Sequence, residues 1–345
     1  MNYRTALVTG SNCFTGAHVV DALLRETDIR VVGTSRSPES HPMFLPYRDQ
    51  PGADLGRFEF RQIDFHTQWP EMRELLDEVK PDVIVHVAAL SEVALSHEKP
   101  LDYFHVNADA TVRMADHVRR AGWCERFVHI SSAEIYGTCS DAILESAPLN
   151  PTTPYAVSKA AADLYLETLR KNFGFPVSLI CSTNVYGAYQ QLFKIIPRTA
   201  IYLRMGKTIQ LHGGGQAIKA FIHIRDVVDG ILKVLGGEHY GKFHFSLDFD
   251  RPIREVVRLV CDKAGCDFDA ATQDVGERLG QDSRYWLDST RAERELGWAP
   301  GVSFEDGVNE TVEWIDRHWD EVRRQPLVYE HKHAPEAETP SAALA

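Results

Sequence analysis

The 345-residue sequence predicts an α/β protein: a doubly wound parallel sheet followed by a smaller α/β domain. Two patterns carry that expectation. Short apolar runs alternate with amphipathic stretches through the first half, and the alternation loosens after about residue 180. A third observation is a glycine turn at Gly10, wedged between the first apolar run and the first amphipathic stretch. Strands that alternate with helices imply a parallel sheet, and unbroken apolar strands imply cover on both faces.

In chain order, residues 4–9 read as the first strand and 17–25 as the helix after it. Residues 29–34 and 58–63 are the second and third strands, 71–80 a helix, 83–88 the fourth strand and 126–131 the fifth. Such a sheet binds its ligand at the carboxyl ends of the strands. Beyond residue 180, glycine clusters at 213–215 and 236–237 and helices at about 253–264 and 305–322 predict a second domain closing over that crevice. The expected division is 1–180, with a return segment near 210–235, then 181–330. The Pro- and Ala-rich stretch 331–345 is expected to be disordered.

Composition excludes several classes. A net charge of -12 argues against a nucleic-acid partner, which needs a positive face. The apolar runs are far too short to span a membrane. Met1 leads straight into the first strand with no basic segment or cleavage site, so no secretory signal is expected. The six cysteines form no CxxC pair and suit a reducing cytoplasm. With no His/Cys/Asp set at ligand spacing, no metal is expected.

The turn between the first strand and first helix reads Thr9-Gly10-Ser11-Asn12-Cys13-Phe14-Thr15-Gly16. Glycine lets the backbone turn tightly and brings a pyrophosphate onto the helix N-terminus. Cys13 stands where the TGxxGxxG pattern has its middle glycine, so the bare pattern is degraded; its strand-and-helix setting favours a dinucleotide site over a plain turn. At the end of the second strand, Ser35-Arg36-Ser37 replaces the carboxylate that would bind the adenosine ribose of NAD. An arginine flanked by hydroxyls suits a 2′-phosphate, so the lean is to NADP, with NAD the alternative. Asp64 and Phe65 end the third strand, where an adenine ring would lie. Tyr155 and Lys159 are one helical turn apart on one face. A lysine ammonium there favours the phenolate and moves tyrosine towards use as a base. Ser132, at the end of the fifth strand, can bond the same substrate oxygen.

Thr9-Gly10…Gly16, Ser132, Tyr155-x-x-x-Lys159 and Asn184-Val-Tyr-Gly187 together resemble the extended short-chain dehydrogenase/reductase family, with its Rossmann domain, in the branch acting on nucleotide sugars. The likeness runs from about residue 4 to 325. It is greatest to dTDP-glucose 4,6-dehydratases, through residues 154–163, 184–190, 194–197, 280–288 and 295–300. The resemblance implies that Tyr155 deprotonates the C4 hydroxyl as its hydride moves to the nicotinamide. It gives Glu134 the C5 proton, after which water leaves and the hydride returns at C6. It further places Ala88 by the cofactor, Ser91, Asn184, Lys194, Lys219, Arg278 and Asp282 around the sugar nucleotide, and Asn107 as a brace for the active-site helix. It also implies a homodimer through helices near 101–119 and the Tyr155 helix.

Three positions depart from that subfamily. Ala133 replaces an aspartate that protonates the leaving C6 oxygen, Ala94-Leu95 replaces Asp-Arg, and Lys219 replaces a pyrophosphate-gripping arginine. A 4-epimerase or hexuronate decarboxylase therefore stands as the alternative. A non-catalytic NADP-binding protein is the further one, which the intact Ser132, Tyr155 and Lys159 disfavour. His86, His129, His223 and His244 read as core histidines.

Overall fold

The computed structural model describes residues 3–247, 250–276, 284 and 286–328. Arg278, Asp282 and the expected tail from residue 331 lie outside the described residues. Twelve strands are described: β1 (Thr5–Thr9), β2 (Arg30–Ser35), β3 (Phe58–Gln62), β4 (Val83–His86), β5 (Arg126–Ile130), β6 (Val177–Ser182), β7 (Asn184–Tyr186), β8 (Ile209–His212), β9 (Ile218–His223), β10 (Gly241–Phe245), β11 (Asp250–Pro252) and β12 (Thr272–Val275). The principal helices are α1 (Phe14–Glu26), α2 (Trp69–Val79), α3 (Ala110–Ala121), α4 (Pro154–Phe173), α5 (Ile195–Arg204), α6 (Ile224–Gly236), α7 (Ile253–Lys263), α8 (Thr290–Leu296) and α9 (Phe304–Arg317).

The main sheet has seven parallel strands in the order β10-β6-β5-β4-β1-β2-β3. Register sets Thr9 at the end of β1 level with Thr34 on β2 and His86 on β4, so their following loops open on one edge. Val19, Val20, Leu23 and Leu24 of α1 pack on one face with Ile231 and Val234 of α6. Met72 and Leu76 of α2, Met114 and Val118 of α3, and Leu166 and Leu169 of α4 cover the other. Each such fully buried aliphatic side chain contributes about 1.5–3 kcal/mol of transfer free energy, which is why α1, with eight of its 13 residues buried, docks on the sheet.

The expected division at residue 180, with a return near 210–235, meets a sheet that takes its seventh strand from Gly241–Phe245. The chain leaves the sheet after β6, lays down β7, β8 and β9, and comes back through α6 to β10; β11 and β12 then follow and complete a three-stranded sheet (β11-β9-β7) and a two-stranded one (β12-β8). Antiparallel β11 and parallel β7 flank β9. Among the described residues no helix is long and apolar enough to cross a membrane.

Candidate active site

The carboxyl ends of β1, β2, β4, β5 and β6 surround one cavity of about 480 Å³. Gly10 opens it. Its φ of +72° favours glycine, and a Cβ there would lie 2.8 Å from Ala88 N. Gly16 is equally constrained, since a Cβ would fall 2.2 Å from Gly10 O, although Gly16 itself stays behind the cavity wall. Cys13 caps α1, its Sγ accepting from Gly16 N at 3.3 Å, so the thiol takes the place of an N-cap hydroxyl. Asn12, Cys13, Phe14 and Thr15 line the floor. Asn12 also donates to Ser37 O (3.2 Å) and Pro38 O (2.6 Å), tying the first turn to the loop that carries Arg36.

Ser35, Arg36, Ser37 and Ser40 form one end of the cavity, and among the described residues Arg36 has no ion-pair partner. Asp64 and Phe65 line the same end. Asp64 Oδ1 accepts from His66 N at 3.0 Å, so the carboxylate shapes its own turn as well as facing the cavity. Ala88 sits beside Gly10 and donates its N–H to Thr9 Oγ1 at 3.3 Å.

The opposite end carries the groups suited to proton transfer. Thr153 caps α4 through Ala156 N at 3.1 Å and Pro154 occupies its first turn, a start that places Tyr155 and Lys159 on the cavity face. Ser132 caps the short turn Ala133–Tyr136, accepting from Glu134 N at 3.2 Å. Ser132, Glu134, Tyr155 and Lys159 all line the cavity. Burial and then the Glu134 carboxylate push the Tyr155 phenol above its ordinary value, while a hydrogen bond with Ser132 acts against them. Burial lowers Lys159 to about 8, with Asp163 pulling the other way. The ammonium donates to Ile130 O at 2.7 Å and meets His129 Nε2 at 3.2 Å. Burial is the leading influence on the Tyr155 phenol in this structure, and the Lys159 ammonium is held close by through Ile130 O and His129.

Asn107 sits in a π-helical stretch, Phe104–Asp109. Its side chain donates to Leu90 O (3.0 Å) and Ser158 Oγ (3.0 Å) and accepts from Leu90 N (2.8 Å). One amide thereby joins the β4 loop to α4. Of the residues expected around a sugar nucleotide, Ser91, Asn184 and Lys194 line the cavity, and Lys194 Nζ lies 3.8 Å from Glu92 Oε2. Lys219 lies on β9 opposite Arg251, and β9 contributes no residue to the cavity lining.

All four core histidines are buried. His129 does more than fill space, since it touches Lys159. Asp163 and Lys242, which the sequence reading gave no role, stand directly behind it. Asp163 was legible in principle: it follows Lys159 by one helical turn.

The sequence matches the family described as GDP-mannose 4,6 dehydratase over residues 7–311. The chain belongs to this family. It is an NAD(P)-dependent nucleotide-sugar enzyme of the extended short-chain dehydrogenase/reductase type. A dTDP-glucose 4,6-dehydratase of Streptomyces niveus is 33% identical over 331 residues, covering 93% of this chain and 96% of the relative. The dTDP-D-glucose 4,6-dehydratase of Mus musculus is 30% identical, covering 92% and 90%. The crystal structure of DesIV, a dTDP-glucose 4,6-dehydratase from Streptomyces venezuelae with NAD bound, superposes with a TM-score of 0.82 at 31% identity, covering 92% of this chain and 98% of that one. The residues present fit a dinucleotide: the Gly10 cradle would be filled by any Cβ, and it opens at the N-terminus of α1.

Proposed function

We propose that the protein is an NDP-hexose 4,6-dehydratase that removes water from its sugar nucleotide. One observation carries this reading: the Glu134 carboxylate shares a cavity wall with the Ser132, Tyr155 and Lys159 set and acts electrostatically on Tyr155. A bound nicotinamide would supply hydride acceptance from C4 and its return at C6. Tyr155 takes the proton of the C4 hydroxyl, with Ser132 holding the same oxygen and Lys159 favouring the phenolate. Glu134 takes the C5 proton. Ala133 has no proton to give, so the proton on Glu134 passes to the C6 oxygen, which leaves as water; C5 then takes up a proton as C6 is reduced, matched by the one Tyr155 gives up, and both bases return to their starting states.

Ala133 is also the observation that favours a second reading, a 4-epimerase or hexuronate decarboxylase. Either would use the Tyr155 oxidation without protonating a C6 oxygen. The cofactor proposed is NADP, since Arg36 and three serines face the cavity where a 2′-phosphate would lie. A homodimer is proposed through α4 and the helix before α3, where Leu101, Phe104 and Leu164 are exposed apolar side chains. All six cysteines are free thiols, which fits work in the cytoplasm.

The test is mass spectrometry of the purified protein, with its retained cofactor, against NDP-hexoses and NDP-hexuronic acids deuterated at C4 where they carry hydrogen. A product lighter by one water, with deuterium at C6, supports the dehydratase. A mass-neutral isomer or loss of carbon dioxide moves the assignment to the second reading.

A further inference from the structure

β10 reads Lys242-Phe243-His244-Phe245, and its alternation sends the two phenylalanines into the core beneath α6 and the two polar residues to the other face. On that face His244 Nε2 meets Tyr136 Oη at 2.8 Å, and the Lys242 ammonium lies 5.1 Å from the centre of the Tyr136 ring. An edge strand far along the chain thus props the turn that carries Ser132 and Glu134. Lys242 reaches further, to 3.7 Å from Asp163 Oδ2, with only 12% of its side chain exposed. Ser131 Oγ donates to the same oxygen at 2.7 Å. The other oxygen, Asp163 Oδ1, has no hydrogen-bond partner among the described residues and lies 3.7 Å from His129 Nε2, the atom that also meets Lys159.

We propose that Asp163 and Lys242 are positioning residues, a buried pair that sets the charge held on Lys159 from behind the active site. This rests on the reading of Lys159 as the partner of Tyr155. The groups packed around Lys159 leave few other candidates. His86 on β4 and His129 on β5 are kept neutral by burial, and burial likewise pushes the Cys181 thiol on β6 up to about 12. Tyr155 on α4 is held protonated. The remaining charges are Glu134 in the turn, Asp163 on α4 and Lys242 on β10, with Glu167 and Glu145 more distant. Asp163 is the strongest of the charges supporting the ammonium, whereas Lys242 draws on the same carboxylate. Removing the carboxylate leaves two buried cations with no anion between them. Removing Lys242 removes the competing cation and leaves Ser131 and Lys159 to hold the Asp163 charge against burial, which raises that carboxyl.

The two changes therefore push Lys159 in opposite directions, which a merely structural pair has no reason to do. Protein carrying carbon-13 lysine is titrated by NMR through the Lys159 Cε signal, assigned with Lys159→Arg. In Asp163→Asn the proton affinity of Lys159 is expected to fall by about tenfold or more, and in Lys242→Met to rise by about as much. Lys242→Arg keeps the charge and is expected to stay with the wild type, and Lys242→Gln serves in place of Lys242→Met should the methionine variant fail to fold. The alkaline fall of kcat is expected to move with the NMR midpoint, at unchanged KM. Midpoints that stay together in all variants, or that move the same way in Asp163→Asn and Lys242→Met, overturn the proposal. The NMR titration needs no turnover, so a protein that processes no sugar nucleotide removes the reading of the reaction while leaving this pair to stand or fall on its own titration.

Discussion

The wall built from β5, α4 and the Ala133–Tyr136 turn presents buried, multiply bonded side chains to the cavity, whereas the segment from Ser182 to Lys194 presents Asn184 and Lys194, which are far less buried. Tyr155 and Lys159 are both under one-tenth exposed, and Lys159 is bonded to β5 in two places. Asn184 is exposed with one bond to Ala220 O, and Lys194 reaches across to Glu92 over 3.8 Å. A wall with fixed groups does chemistry, because a proton donor must be in place before the reaction begins. A wall with movable charges binds, because its ion pairs can be exchanged for a ligand's phosphates. Substitutions on the first should lower kcat and those on the second should raise KM.

The largest effect tests the chemical wall. Tyr155→Phe removes one hydroxyl and leaves the ring packed against Tyr103. Turnover is expected to fall about a thousandfold or more, within the range for losing a general base, with KM changed little. A raised KM with kcat intact would break the contrast. The same wall predicts a pH dependence. Lys159 is charged below about 8 and neutral above it, so kcat declines as pH rises through that value. Steady-state rates across pH, at saturating substrate, check this.

Glu134→Gln is expected to cost about a hundredfold in water loss. Oxidation at C4 needs only Ser132, Tyr155 and Lys159, so reduced nicotinamide should accumulate in this variant on mixing with substrate. Stopped-flow absorbance reads it directly. If no reduced cofactor builds up, Glu134 acts before the hydride step, and the division of labour along the wall is wrong.

How much of this was legible in sequence differs between the walls for a physical reason. Gly10, Tyr155 and Lys159 could be read because backbone geometry and helical spacing dictate their types and intervals. The seven-stranded sheet was readable up to β5 because its inner strands β1, β2 and β4 are largely apolar and buried. β10 was not, since Lys242 and His244 make it look like half a surface strand, although both side chains are turned inward onto the active-site turn. Lys219 was placed by likeness to a motif, and it falls on β9, a strand that contributes no residue to the cavity lining. Arg278 and Asp282, likewise placed by likeness, lie outside the described residues.

On the binding wall, Lys194→Ala is expected to raise KM for the sugar nucleotide about tenfold with kcat within about twofold. One charge-assisted contact to a diphosphate is lost, and its value is reduced because Lys194 first gives up Glu92. Raised salt should shrink the difference between variant and wild type, as it screens an exposed charge. Equal loss in kcat would place Lys194 with the chemical wall instead.

The smallest expected effect concerns the far end of the cavity, where the contrast between fixed and movable groups can be sharpened. Arg36 is half-buried, faces the cavity and has no ion-pair partner among the described residues, so it is the movable kind. Asn12 holds the loop beneath it through Ser37 and Pro38, so the side chain can change without moving the cradle. Arg36→Ala is expected to weaken NADP by about threefold to tenfold and to leave NAD unchanged, since only the 2′-phosphate distinguishes them. Fluorescence titration of cofactor-stripped protein with each dinucleotide measures this. Equal weakening of both would mean that Arg36 supports the loop, and the NADP preference would then lose its main support. Weakening of NAD alone would reverse it.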